Sequence, residues 1–257
     1  MSQPVVIAIT NQKGGVGKTT TSINLAYYIA KQGKRTLLID LDPQGNATSG
    51  LGIDKQTLQG TMTEVMLETR GLHDVIIDTD FKNLALAPAT PHLANSEVEL
   101  AQANRRFSRL QNALATMKGQ PFDVVIVDCP PSLSLLTVNA LIAARYVLLP
   151  VQAEFYALEG LGQLLETMKL IRKNMNPTLE LVGVLPTMMD SRTSLSGQVY
   201  GEIKKHFPGK VFQATIPRNI RLAEAPSHGV PIGVYDRFSK GARAYKSLAK
   251  EVMDRVG

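Results

Sequence analysis

The chain has one cysteine, Cys129, no tryptophan, and an aromatic content of only 5% in 257 residues. A single thiol excludes an internal disulfide and suits a reducing compartment. No run is apolar and long enough to span a bilayer. The N-terminus lacks the charged-then-apolar order of a secretory signal. Repeats, low-complexity tracts and linkers are also missing. What remains is one α/β-sized domain over residues 1–257, expected in the cytoplasm, with 44% hydrophobic residues to build its core. The first strand-like run begins at Val5, so no helix-turn-helix is expected ahead of it, and specific operator binding is not expected.

Acidic residues are scarce in the last quarter. Residues 1–191 carry 16 Lys+Arg and 17 Asp+Glu, whereas residues 192–257 carry 12 and 5. The whole net charge of +6 therefore comes from the C-terminal part. Such a bias fits a polyanionic partner, either nucleic acid or an acidic membrane surface, or else an ordinary solvated face.

Apolar β-rich runs at 5–10, 36–40, 84–88, 124–128, 146–151, 179–187 and 211–216 are mostly continuous. That is the pattern of strands buried on both faces of a parallel sheet. Helical spacing over 22–31, 105–118, 158–175 and 195–207 alternates with them. The fold class is thus α/β, a doubly wound, mostly parallel sheet with helices on both faces. Ligands in such sheets bind beyond the carboxyl ends of the strands.

At one such end the chain reads Lys13-Gly14-Gly15-Val16-Gly17-Lys18-Thr19-Thr20. Strand, glycine-rich turn and helix make the setting of a phosphate-binding loop. Glycines let the backbone curl and turn several N–H groups inward, and the helix start adds its positive dipole end. Lys18 can reach the outer phosphates of a bound ligand and the Thr19 hydroxyl can ligate Mg²⁺. The usual G-x-x-x-x-G-K-[ST] fails, because Gln12 stands where the first glycine belongs. In its place is a second cation, Lys13, which one active site does not need.

Two further strands end in carboxylates. Asp40 and Asp42 follow 37–39, and with period-two geometry both face one way. Asp128 closes 124–127 in the form of a Walker B strand, whose aspartate holds Mg²⁺ or its water. Taken singly, each of these aspartates also reads as a turn or cap residue. The stretch 45–50 reads as a flexible polar loop able to order around a γ-phosphate.

These residues together resemble the ParA/MinD family of deviant Walker A ATPases, most nearly its ParA/Soj-type partitioning members. The match runs through 11–22, 38–52, 123–132 and 217–230, and covers nearly the whole chain. The resemblance implies that Lys13 reaches across a homodimer interface to the partner's ATP, with Gly14 and Glu154 at that interface. It implies that Lys18 and the surrounding Gly14, Gly15, Val16, Gly17, Thr19 and Thr20 bind the nucleotide. Asp42 would orient the attacking water, Asp40 would support the Mg²⁺ shell with Thr19 and Asp128, and Pro217 and Asn219 would cradle adenine. Arg192 and Arg221 match positions on a surface that binds double-stranded DNA without sequence preference, and Lys240, Arg243 and Lys246 extend it. A ParB-like centromere-binding protein would stimulate hydrolysis, and the protein would associate with the nucleoid. The membrane-bound alternative, MinD, needs a detachable amphipathic C-terminal helix. The apolar face of 239–257 is narrow and reads as packing on the domain. A cargo-positioning ATPase of the same family, acting on a protein array, stays open. Nitrogenase iron protein shares the loop, but one cysteine per subunit offers two thiolates to an iron–sulfur cluster that takes four.

Overall fold

Seven strands form one sheet in the order β3-β4-β2-β5-β1-β6-β7. They are β1 (Val5–Ile9), β2 (Thr36–Asp40), β3 (Ile77–Asp78), β4 (Leu84–Ala87), β5 (Val124–Asp128), β6 (Tyr146–Gln152) and β7 (Glu180–Thr187). The computed structural model describes residues 3–117, 122–154, 161–190 and 192–257. All pairings are parallel except the short edge pair β3–β4.

Both faces are covered, which is why the strands read as continuous apolar runs. On one face Val6 and Ala8 of β1, with Leu37, Ile39, Val125 and Val127, meet helices Met62–Met66, His92–Gln102, Arg109–Thr116, Leu135–Ala143 and Leu161–Asn174. On the other, Ile7 and Ile9, with Leu38, Ile126 and Leu148, meet helices Lys18–Lys31 and Lys240–Val256. β1 and β5 lie at the centre, and their carboxyl ends carry the phosphate loop and Asp128.

Several expectations are corrected. The run 211–216 is not a strand: Val211 makes one isolated bridge, to Val184, and Pro217 just beyond the run makes another, to Met189. Its amides at Gln213 and Ala214 donate to the Glu251 carboxylate (2.9 and 3.0 Å) instead of to a neighbouring strand. The stretch 45–50 is not a flexible loop but a short helix, Asn46–Gly50, with Ala47, Thr48 and Gly50 buried. The helix expected from 105 starts at Arg109, because Arg105 adopts a left-handed φ of 55°. The start of the helix expected over 158–175, and Lys118 at the end of the one over 105–118, lie outside the described residues.

Candidate nucleotide site and basic surface

The loop between β1 and helix Lys18–Lys31 turns through two left-handed glycines, Gly15 (φ 76°) and Gly17 (φ 90°). Side chains rarely adopt that conformation, so these two positions need glycine. Gly17 is also the helix N-cap and offers no side-chain acceptor, so the first-turn N–H groups keep no capping partner. That end is fitted to an anion. Val16 is buried between the glycines, and its carbonyl accepts the Thr187 hydroxyl at 2.8 Å.

Lys18 is 6% exposed, and its ammonium donates to the Lys13 carbonyl at 3.0 Å. Burial holds Lys18 below the ordinary lysine value, against the opposing pull of Asp128 and Asp42. A desolvated ammonium beside an uncapped helix start is a phosphate partner in waiting.

Asp40 and Asp128 are register partners on β2 and β5, and both are fully buried. Asp40 is already committed. Its Oδ2 accepts the Thr48 amide (2.8 Å) and hydroxyl (2.7 Å), and its Oδ1 accepts the Asp42 amide (3.3 Å). Asp128 Oδ1 accepts the Ser22 hydroxyl at 2.8 Å, but its Oδ2 is buried without a partner. Burial raises both carboxyls above their usual range, with Asp40 adding to the effect on Asp128. An orphaned oxygen on a buried, doubly acidic centre fits a divalent cation. Among the described residues no cluster of three or more His, Cys, Asp or Glu side chains is placed to hold a metal. The donor set therefore suits Mg²⁺ shared with phosphates rather than an all-protein cage.

The raised carboxyls give a pH prediction. A carboxyl whose folded value lies above its unfolded one keeps its proton longer in the folded state. Stability then falls as pH rises, because the unfolded state binds fewer protons. The nucleotide-free protein is expected to lose stability as pH climbs from about 4 toward the raised native values. Urea titrations with and without MgATP check this. A flat profile without nucleotide would contradict it.

Asp42, two residues past β2, is 6% exposed, and its Oδ1 accepts the Gln44 amide at 2.9 Å. Lys13 is half-buried at the loop rim. Its amide donates to Asn11 Oδ1 (3.0 Å), while Asn11 Nδ2 donates to the Pro150 carbonyl (2.7 Å). The Lys13 ammonium pairs with Glu154 of the same subunit at 2.9 Å, and Gln152 also donates to Glu154. Pro217 bridges to Met189 beyond β7, and Asn219 caps helix Ile220–Glu224 by accepting the Arg221 amide at 2.9 Å. The nucleotide residues expected from the sequence thus gather at the carboxyl end of the sheet. Asn11, Ser22, Thr48 and Thr187, which hold them, were not foreseen. Only Ser22, one helical turn after Lys18, had a local signal.

The basic residues fall into two kinds. Arg192 forms a two-pronged pair with Asp190 (2.9 and 2.7 Å) and holds that carboxyl well below its usual range. Arg221 donates to Glu224 at 2.9 Å and lies 3.8 Å from Asp236. Lys240, Arg243 and Lys246, by contrast, are exposed along helix Lys240–Val256 and form no ion pair among the described residues. Lys250 continues this stripe one turn on, and its i+4 spacing from Lys246 was readable.

A doubly wound sheet with an uncapped glycine loop, a buried loop lysine and a strand-end aspartate whose second oxygen has no protein partner defines a P-loop nucleoside triphosphatase. The AAA domain family (AAA_31) matches residues 5–181. Soj of Bacillus subtilis, a sporulation initiation inhibitor protein, is 54% identical over 247 residues, covering 96% of this chain and 97% of that one. The chromosome-partitioning ATPase Soj of Thermus thermophilus is 51% identical over 256 residues, with 97% and 96% covered. A solved structure from Mycobacterium smegmatis, described as cobyrinic acid a,c-diamide synthase with a bound ATP analogue and magnesium, superposes with a TM-score of 0.84. It is 40% identical, with 96% of this chain and 93% of that one covered. The chain belongs to the ParA/Soj family of chromosome-partitioning ATPases.

Proposed function

We propose that this ATPase is a nucleotide-controlled DNA clamp for chromosome or plasmid segregation. MgATP closes two subunits into a dimer, the dimer holds DNA without sequence preference, and hydrolysis stimulated by a ParB-like partner releases it. The observation that carries this reading is Lys13. The loop's own cation is Lys18, yet Lys13 stands half-exposed at the rim with its backbone fixed by Asn11. A cation so placed can complete a neighbour's phosphate site, as a trans arginine finger does. ADP presents less charge there, so γ-phosphate loss favours the open state, a ligand-controlled shift of populations.

Within one subunit, Lys18 and the uncapped loop amides would bind the outer phosphates. Thr19 and Asp128 would hold Mg²⁺, whose chemistry there is to neutralise charge on the phosphate oxygens. Asp40, its oxygens already engaged, would brace that centre from behind. Asp42 would orient water. Pro217 and Asn219 would cradle the base.

DNA would lie on the paired arginines and the stripe Lys240, Arg243, Lys246 and Lys250, through phosphate contacts that carry no sequence information. The apolar face of that helix, including Tyr245, Leu248 and Val252, is buried in the core. This weighs against a membrane-docking role, and no described helix is long and apolar enough to cross a membrane. Association with the nucleoid follows from the DNA reading.

The test is binding to random-sequence duplex with MgATP, MgADP or no nucleotide across a salt series. Binding is expected with MgATP alone, and log affinity should fall linearly with log salt. Lys246→Ala should flatten that slope by about 0.9 for each phosphate the side chain neutralises. Equal binding in all three states, or none at low salt with MgATP, overturns the proposal.

A further inference from the structure

We infer that the Thr187 hydroxyl is a positioning group that ties the phosphate loop to the segment carrying the base cradle and Arg221. Thr187 ends β7 and is 2% exposed. Its hydroxyl donates to the Val16 carbonyl at 2.8 Å, across 171 residues of sequence. Val16 lies between the two left-handed glycines, where the backbone is least restrained by its own sterics. A peptide is planar, so fixing the Val16 carbonyl also fixes the direction of the Gly17 N–H in the loop.

The main chain of the same residue reaches the segment that holds Lys13. The Thr187 carbonyl accepts the Ala153 amide at 3.1 Å, next to the glutamate that pairs with Lys13. Immediately beyond, Met188 adopts a left-handed φ of 52°, unusual for a long side chain, and re-aims the strand. Met189 then donates to the Ile216 carbonyl and accepts the Arg218 amide, each at 3.0 Å. Pro217 sits between those two contacts, and Asn219 follows as the cap of the helix that bears Arg221. Thr187 and Met189, on either side of Met188, thus touch the phosphate loop, the Lys13 acceptor segment and the 216–218 strap.

Contact alone does not couple two sites, and removing the hydroxyl tests whether these two are coupled. Thr187→Val keeps the branched shape that suits a strand and removes only the donor. Thr187→Ser keeps the donor. The DNA part of the inference rests on the function proposed above, and a DNA-free readout separates the two. In the full-length protein, replacing MgADP by MgATP is expected to slow amide exchange at Met189 and Arg218 by about 5-fold or more, the lower end of ordinary coupling. Saturated with MgATP, the valine variant should lose that difference, and its MgATP-to-MgADP ratio of DNA affinity should fall toward one. The serine variant should recover both.

Thr187→Ala, which removes the hydroxyl with less bulk, is the second variant and must behave as valine does. The inference is overturned if either hydroxyl-free variant keeps the wild-type exchange difference, if serine shows the valine defect, or if the wild type shows no difference at these amides. A wild-type exchange difference accompanied by nucleotide-independent DNA binding would sink the DNA reading and leave the coupling standing.

Discussion

Asp42→Ala is expected to bind MgATP and dimerise as the wild type does, while hydrolysis falls by about 10²–10⁴-fold, the usual contribution of a positioned acid–base group. The reason lies in how the three aspartates divide their work. Asp40 has both oxygens engaged by Thr48 and the Asp42 amide, and Asp128 keeps a buried oxygen free. Removing the Asp42 side chain breaks no hydrogen bond made by the groups assigned to the metal or by Lys18, so ground-state binding survives. Asp42 gives one oxygen to the Gln44 amide, and its other accepts no hydrogen bond among the described residues. That second oxygen is available to a water. Phosphate release measured beside sedimentation in MgATP separates the two properties. Rapid turnover by the variant would remove Asp42 from the mechanism.

The second large effect is at Lys13. Lys13→Ala should retain MgATP affinity within a few-fold, because Lys18 and the loop amides of the same subunit remain. ATP-dependent dimerisation should disappear, and stimulated hydrolysis should drop by roughly 10³–10⁵, the range of a cation supplied in trans. Lys18→Ala is the contrasting control and should lose nucleotide itself. Nucleotide titration followed by light scattering tells the two lysines apart. A Lys13→Ala protein that still dimerises with MgATP would end the trans assignment.

Legibility differed by element for physical reasons. β2 and β5 were readable to the residue, since each apolar run stops at an aspartate that the site uses. Helix Leu135–Ala143 was not, because it is apolar on nearly every side and shows no face. The 211–216 run misled because Phe212 and Ile216 are core residues, yet the backbone between them bonds to Glu251. The 45–50 helix was hidden because Thr48 is anchored to Asp40, a contact that no local pattern encodes. At the candidate site, the groups assigned to the chemistry were legible through spacing within short motifs. Their supports did not. Asn11 is held at Pro150 and Val16 at Thr187, across separations that only the folded sheet closes.

Three of the cations assigned to reach outward share one circumstance. Lys13 rests on Glu154, Arg192 on Asp190, and Arg221 on Glu224. Each outward contact is therefore an exchange of one anion for another, not a gain from nothing. Exposed pairs of this kind are worth little because solvent screens them, so a phosphate would displace them readily once geometry permits. On the proposed function the subunit would carry its own competitors, masking these arginines and this lysine against stray polyanions while the stripe on the C-terminal helix stays open. Discrimination between bound and released states then depends on small differences at several paired charges rather than on one strong contact.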